Sequence, residues 1–189
     1  RDRETREYQL KLSVPMPRGG RLRIHPGVLL TALVVLVLDQ ASKLWIVQTI
    51  GQVDGPHSVQ VVGDFVRLSY TTNTGAAFGM FPAGTLFFTV VALIAVPVIL
   101  LARSYVDENA KWLTIVFGMM MGGALGNLLD RIRLHHVVDF IDVGVGNVRW
   151  WSFNVADSSF VVGVILLALY LSFKTEPAAE PRDDRQRAV

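Results

Sequence analysis

The chain has 189 residues, of which 51% are hydrophobic, and its formal net charge is only +2. Its long apolar runs favour one polytopic membrane domain and argue against a soluble globular protein. Because the sequence contains no cysteine, disulfides, a thiol nucleophile and cysteine-ligated metals are excluded.

Four windows are long and apolar enough to form transmembrane helices, since ~20 mostly apolar residues cross ~30 Å of hydrocarbon. These windows are residues 28–46, 84–102, 112–134 and 155–173. The first is too long for the apolar region of a signal peptide, it contains Asp39 and Lys43, and no A-x-A cleavage signal follows it. We therefore interpret it as a retained span.

Charged tails flank this membrane domain, which we place at residues 28–173. Residues 1–27 and 174–189 mix both charge signs with proline and show no apolar period, which predicts flexible tails. Both tails and the 103–111 connection are rich in Lys and Arg, so the positive-inside bias predicts that they face the cytoplasm. The 47–83 and 135–154 connections then lie outside.

An acidic and a basic residue, Asp39 and Lys43, interrupt the first span four positions apart. This spacing puts them on one helix face as a potential ion pair. Ionisable groups in hydrocarbon cost roughly 2.5 kcal/mol or more each and are therefore usually functional or paired. Two interpretations remain open: an internal salt bridge that tethers the helix, or a direct role in binding substrate.

The first outer connection predicts a small β-sheet at the membrane surface. Residues 57–75 alternate apolar and polar side chains around Gly63 and Asp64. This pattern is typical of a hairpin with a two-residue turn.

The third span combines small residues with a polar end. Glycines 118, 122 and 126 are spaced for close helix packing. Packing does not explain Asn127, Asp130 and Arg131, which follow at the outer end. For Asp130, a helix terminus at the interface and a catalytic role are both open.

Beyond the third span, Asp139 lies among apolar residues in the segment HHVVDFIDV. Such surroundings are expected to raise the pKa of its carboxyl group. His135, His136 and Asp139 form a possible metal set, but the sequence has no H-E-x-x-H motif, and we expect no metal.

The last span opens with Asn154 and Asp157, which are spaced as a capping box at a helix N-terminus. Capping alone explains both residues. Their gathering with other polar residues at the outer membrane face favours an additional chemical role. With the orientation above, that set is Asp39, Asn73, Asn127, Arg131, Asp139, Asn154 and Asp157.

Five blocks in order along the core resemble lipoprotein signal peptidase, the type II signal peptidase of bacteria. The blocks are DQASK (39–43), NTGAAFG (73–79), GGALGNLLDRI (122–132), VVDF (137–140) and FNVADS (153–158). The resemblance spans about residues 28 to 173.

The resemblance implies an aspartic endopeptidase of the bacterial plasma membrane that works without a cofactor. It removes the signal peptide from diacylglyceryl-modified prolipoproteins, on the amino side of the lipidated cysteine. The family's catalytic pair maps onto Asp139 and Asp157. Substrate-binding or supporting roles map onto Asp39, Lys43, Asn73, Gly75, Asn127, Asp130, Arg131 and Asn154.

We therefore expect an all-α membrane protein with four transmembrane helices, a small extracytoplasmic β-sheet and an extracytoplasmic loop or short helix over the active site. The 135–152 segment, with Trp150 and Trp151 as interfacial anchors, is expected to help position and cover the substrate. Expected partners are the prolipoprotein substrate and membrane lipids, with no nucleic acid, and the chain is expected to be a monomer.

Two other functions fit parts of the pattern. A small transporter or proton-conducting bundle also needs intramembrane Asp and Lys, but usually near the midplane. A Ser/Lys peptidase would pair Lys43 with Ser42, Ser158 or Ser159. The clustering of polar groups at one end favours the aspartic peptidase.

Overall fold

The computed structural model describes residues 25–51, 58–75, 84–106 and 110–173. Within these ranges the chain forms four long helices, each apolar enough to cross a membrane: α1 (Pro26–Thr49), α2 (Thr85–Ser104), α3 (Lys111–Leu134) and α4 (Val155–Phe173). The four predicted spans are therefore confirmed. The predicted flexible tails lie almost entirely outside the described residues.

Helix α3 is the centre of the bundle, and the other three helices pack around it. Two thirds of its most apolar window is buried, against 28% or less for the other helices. The predicted close packing of its glycines is present. A Cβ atom on Gly122 would lie 2.7 Å from Val35 Cβ, and one on Gly126 would lie 2.7 Å from Asp39 Oδ2. Only glycine lets α1 approach α3 this closely.

The variant Gly122→Leu should therefore destabilise the bundle by about 2 kcal/mol or more, because the new side chain meets the α1 backbone at Ala32 as well as Val35. Unfolding in mixed detergent micelles measures this. Ile115→Leu, a change at an exposed position of the same helix, is the control and should be nearly neutral. Equal stabilities of the two variants would contradict tight α1–α3 packing.

A four-stranded antiparallel sheet caps one end of the bundle in the order β1 (Ser58–Val62), β2 (Val66–Asn73), β3 (Val137–Val145) and β4 (Val148–Arg149). The predicted hairpin is confirmed, but the predicted two-residue turn is wrong. Val62 pairs with Val66, so three residues form the turn, and a register shift between Gln60 and Val62 accommodates the extra residue.

The segment from residue 135 to 152, which was expected to help position and cover the substrate, contains β3 and β4. Helix α3 ends at Leu134, and the left-handed φ of 61° at the next residue, His135, turns the chain into β3. The β-branched residues that follow suit a strand, and β2 offers them a partner edge. The loop or short helix expected over the active site stays a prediction.

The sheet contacts the bundle where α1 ends and α4 begins. Ile46 of α1 and Ile50, the residue that follows α1, form a buried cluster with Phe140 of β3, and Val155 at the start of α4 packs against it. Phe153, just before α4, forms a bridge with Ile141 of β3. Four elements consequently meet at one place, namely the end of β2, the start of β3, the end of α3 and the start of α4.

Candidate active site

The first turn of α4 carries the predicted capping box. Asn154 Oδ1 accepts a hydrogen bond from the Asp157 backbone N–H at 2.9 Å, and Asp157 Oδ2 accepts one from the Asn154 backbone N–H at 3.2 Å. Asp157 keeps its other oxygen, Oδ1, for Asn127, whose Nδ2 donates to it at 2.7 Å. Capping and a further role for Asp157 are therefore compatible.

Asp139 lies in the buried part of β3 and is only 2% exposed. Asn154 Nδ2 donates to its Oδ1 at 2.7 Å, and Asn73 Nδ2 donates to its Oδ2 at 2.9 Å. Asn154 thus bonds both carboxylates, through its side chain to Asp139 and through its backbone N–H to Asp157. One neutral residue holds the two acids together.

The Asp139 carboxyl group is a weak acid in this setting. Burial is the main cause that raises its pKa to about 7; the negative charge of Asp157 acts in the same direction, and the hydrogen bonds from Asn73 and Asn154 act in the opposite direction. The apolar setting expected from the sequence therefore has the predicted effect on this pKa. Near neutral pH a substantial fraction of Asp139 carries a proton.

If protonated Asp139 is the active form, Asn73→Ala should move the alkaline limb of the kcat/KM profile to higher pH. Asn73 donates a hydrogen bond to the charged carboxylate, so its removal raises the pKa of Asp139. The alkaline limb should therefore shift by about one pH unit. Initial rates measured across a pH series provide the test. Thr72→Ala, an exposed neighbour on β2, should leave the limb in place. A shift to lower pH would contradict the assignment.

Next to the two acids lies a buried ionic cluster around Lys43. Its Nζ contacts Asp39 Oδ2 and Asp130 Oδ2, each at 2.8 Å, and donates to Asn127 Oδ1 at 3.1 Å. The predicted Asp39–Lys43 ion pair is therefore present. Asp130 lies near the end of α3 and is only 2% exposed, because its carboxylate is buried against Lys43.

This cluster orients groups around Asp157. Because Asn127 Oδ1 accepts from Lys43, the amide nitrogen of Asn127 is turned towards Asp157. Asp39 Oδ1 also accepts from the Ala156 backbone N–H at 2.9 Å. The cluster on α1 and α3 thereby holds the first turn of α4.

Three residues at the site were missed by the sequence reasoning. Gln40 Nε2 donates to Asp130 Oδ1 at 2.9 Å and to Asp39 Oδ2 at 3.1 Å. Thr85 Oγ1 lies 2.8 Å from the carbonyl oxygen of Thr74 and 3.0 Å from that of His135. Phe88 lies under Arg131, with 5.5 Å between the guanidinium carbon and the ring centroid. Gln40 stands inside the DQASK block, whereas nothing local singles out Thr85 or Phe88.

The remaining predicted residues border the two acids. Arg131 Nη1 donates to the Asn127 carbonyl at 3.4 Å, and buried Gly75 donates its N–H to Asn73 Oδ1 at 3.0 Å. That short turn fixes the Asn73 amide, whose nitrogen faces Asp139.

A cavity of about 180 Å³ lies among α2, α3 and α4 beside these groups. Asn127, Arg131 and Asp157 line it together with apolar residues that include Ala92 and Ala95 of α2. It therefore joins a polar wall at Asp157 to an apolar wall within the bundle.

The histidines do not form a metal site with Asp139. His135 is the C-cap of α3 and His136 follows it. In the described part of the chain, no group of three or more His, Asp or Glu side chains is placed to hold a metal ion.

Fold and site together define a multi-pass membrane protein. At one end of its four-helix bundle, two acids accept hydrogen bonds from the same asparagine. The model of the family described as Signal peptidase (SPase) II matches residues 31–173. Lipoprotein signal peptidase of Moorella thermoacetica is 41% identical over 143 residues, which are 76% of this chain and 91% of that protein. Lipoprotein signal peptidase of Pseudomonas putida is 35% identical over 176 residues, 90% of this chain and all of that protein.

A solved structure of a bacterial membrane enzyme, determined by the in meso method at 2.3 Å resolution, is also similar. It has a TM-score of 0.67 and 30% identity and covers 82% of this chain and 92% of its own. The chain belongs to the signal peptidase II family. It is therefore a bacterial multi-pass membrane hydrolase, and the recognition made from the five sequence blocks is confirmed.

Proposed function

We propose that this protein removes the signal peptide from diacylglyceryl-modified prolipoproteins by aspartic catalysis, cleaving on the amino side of the lipidated cysteine. The observation that carries the proposal is the junction at Asn154, which bonds Asp139 and Asp157 at once. The negative charge of Asp157 also acts on Asp139, and two carboxyl groups coupled in this way share one proton and titrate as a unit. Such a pair supplies the base and the acid that peptide hydrolysis needs.

Asp157 is assigned as the base and Asp139 as the acid. Two N–H donors and the positive end of the α4 dipole face the Asp157 carboxylate, and all of them favour its charged form. Asp139 has a pKa of about 7 and keeps a proton in the neutral range. Family membership makes this pair the first choice among the acids of the site.

The proposed reaction needs only water and these two groups. Asp157 takes a proton from water as the oxygen attacks the scissile carbonyl carbon, while Asp139 gives its proton to the carbonyl oxygen. The resulting gem-diol collapses when Asp157 returns its proton to the leaving nitrogen and a diol hydroxyl returns a proton to Asp139. The C–N bond breaks, and both acids regain their starting states.

The cavity beside Asp157 suits a substrate that arrives from the lipid. Helix α2 packs on α3 but hardly contacts α4, so the cavity borders a lateral gap between these helices. Its small side chains, Ala92 and Ala95, leave room for substrate near the acids. Arg131 at its polar end is suited to hold carbonyl or head-group oxygens of the substrate.

The proposal includes a topology. The site lies at the end where α1 ends and α4 begins, and the positive-inside bias of the tails and of the 103–111 connection assigns this end to the extracytoplasmic side. Both termini then face the cytoplasm, and residues 28–173 form the peptidase domain, working as a monomer.

The Ser/Lys alternative fits the contacts poorly. Lys43 Nζ is engaged by Asp39, Asp130 and Asn127. The Ser42 hydroxyl donates to the Asp39 carbonyl, and the Ser158 hydroxyl donates to the Asn154 carbonyl.

A transporter is also poorly supported. Helix α4 carries no Asp, Glu, Lys, Arg or His after Asp157, and α2 carries none before Arg103. Apart from Lys111 at the start of α3, the ionisable groups of α1 and α3 gather towards the end that carries the site. A path across the membrane would need groups in both halves.

Purified full-length protein in lipid nanodiscs should cleave a synthetic prolipopeptide once, immediately before the diacylglyceryl cysteine. The same peptide without the lipid should be cut far more slowly, and a chelator should change neither rate. Mass spectrometry of both products locates the cut. Cleavage at another bond, or equal rates with and without lipid, would overturn the proposed substrate.

A further inference from the structure

The sheet has two chemically different faces, and the strand register defines them. Residues directly paired across neighbouring strands point to the same side, and residues two apart along a strand do too. One side, here called the apolar sheet face, consists of Val59, Val62, Val66, Leu68, Ile141, Val143, Val145 and Val148. The other side, the polar sheet face, consists of Ser58, Gln60, Arg67, Ser69, Asp142 and Arg149.

The apolar sheet face is covered only near the helices. Leu68 and Ile141 pack against the buried cluster at the end of α1. Farther out, Val59, Val62, Val145 and Val148 are 52% to 81% exposed. A contiguous apolar surface of this kind marks an interaction site, whereas scattered apolar side chains do not.

The charges of the outer sheet lie on the polar sheet face and around the turn, where they neutralise one another. Arg149 Nε contacts Asp142 Oδ1 at 2.9 Å, Arg67 pairs with Asp64, and Arg149 Nη1 donates to the Asp64 carbonyl. The outer part of the apolar sheet face therefore carries no charged side chain. This chemistry fits a nonpolar medium better than a protein that is recognised through ion pairs.

The near edge of the apolar sheet face coincides with the ends of two spanning helices. Its inner residues rest on Ile46 and Ile50, at the end of α1. Ile141 is bridged to Phe153, two residues before α4 begins. The face therefore starts at the level where the bundle leaves the hydrocarbon, and it is continuous with the apolar surface of the helices.

Two exposed tryptophans lie between the sheet and α4. Trp150 and Trp151 join β4 to α4 and are 66% and 41% exposed, and Phe65 in the β1–β2 turn is 54% exposed. Tryptophan is enriched where acyl chains meet head groups. An amphipathic element buries its apolar face ~5–10 Å deep at such a boundary.

We propose that the apolar sheet face lies on the lipid leaflet at the end of the bundle that carries the site. Asp139 lies on the same strand, only two residues before Ile141 of this face. Contact of this face with lipid therefore fixes the depth of the Asp139 carboxyl group relative to the bilayer. The inference does not depend on the proposed catalysis.

Single spin labels test this directly, because the chain has no cysteine of its own. The variants Val59→Cys and Val148→Cys label the apolar sheet face, and Ser58→Cys and Gln60→Cys are matched controls on the polar sheet face of the same sheet. All four positions are exposed, so labelling leaves the fold intact. Leu33→Cys, at an exposed position of α1, is the lipid reference.

In nanodiscs, frequent collisions of a spin label with oxygen indicate that the label lies in lipid. Frequent collisions with a water-soluble nickel chelate indicate that it lies in water. Labels at positions 59 and 148 should collide several-fold more often with oxygen than with the nickel chelate, as a label at position 33 does. Labels at positions 58 and 60 should collide more often with the nickel chelate. Equal nickel access on both faces would overturn the proposal, because the sheet would then stand in water. Shielding of Val59 and Val148 from both reagents would also overturn it, since protein rather than lipid would cover the face.

Discussion

Replacement of Asp157 by asparagine should lower kcat for prolipoprotein cleavage by about 10³-fold or more. Asparagine keeps the size of the side chain but cannot take a proton from water, and general acid–base groups contribute ~10²–10⁴ in rate. Asp139→Asn should cost a similar factor, because it removes the proton donor. The double variant should be little worse than either single one, since the two acids act as a unit.

Asp142→Asn is the matched control for this experiment. Asp142 lies on the same strand as Asp139, but its carboxylate pairs with Arg149 on the polar sheet face. Its replacement should leave kcat nearly unchanged. Normal cleavage by both Asp139→Asn and Asp157→Asn would contradict the assignment, and so would an equal loss after Asp142→Asn.

Lys43→Met should produce the largest loss of stability, about 3–5 kcal/mol. Lys43 is 3% exposed and is the cation between Asp39 and Asp130. Its removal leaves two buried carboxylates without a countercharge, and breaking a buried pair in this way costs about that much. The free energy of unfolding in mixed detergent micelles is the quantity to measure.

Lys111→Met provides the control, because Lys111 is an exposed residue at the start of α3. It should change stability by less than about 0.5 kcal/mol. Adding Asp39→Asn and Asp130→Asn to Lys43→Met should restore part of the lost stability, since no buried charge then remains unpaired. Equal losses for Lys43→Met and Lys111→Met would contradict the role of the cluster.

Much of this fold follows from local patterns in the sequence. Each span is long and apolar, so the bilayer thickness sets its length. The capping box of Asn154 and Asp157 and the Asp39–Lys43 pair involve residues three or four apart, and helix geometry alone brings them together. For these features, sequence and structure agree.

Other features depend on contacts between distant parts of the chain. Gln40 bonds Asp130, 90 positions away, and Thr85 reaches the carbonyl of His135, 50 positions away. Such pairs follow only from the packing of α1, α2 and α3, which periodicity does not encode. Asp130 was ambiguous for the same reason, because its burial depends on Lys43 of another helix.

Strand β3, in contrast, could have been predicted from the local sequence. Residues 137–145 are rich in valine and isoleucine, which favour strands. The sheet was nevertheless predicted only from residues 57–75. The available edge of β2 decided the outcome, since a strand satisfies the backbone groups of the segment.

The central claim is that Asp139 and Asp157 form one coupled pair that shares a proton. Infrared spectra of wild type and Asp139→Asn, recorded across a pH series in lipid, isolate the protonated carboxyl band of Asp139 as their difference. We predict that this band titrates near pH 7, and that in Asp157→Asn it titrates at lower pH, because the negative charge of Asp157 no longer raises the pKa of Asp139. A carboxyl group that is ionised throughout the neutral range, or whose titration ignores Asp157→Asn, would contradict the account.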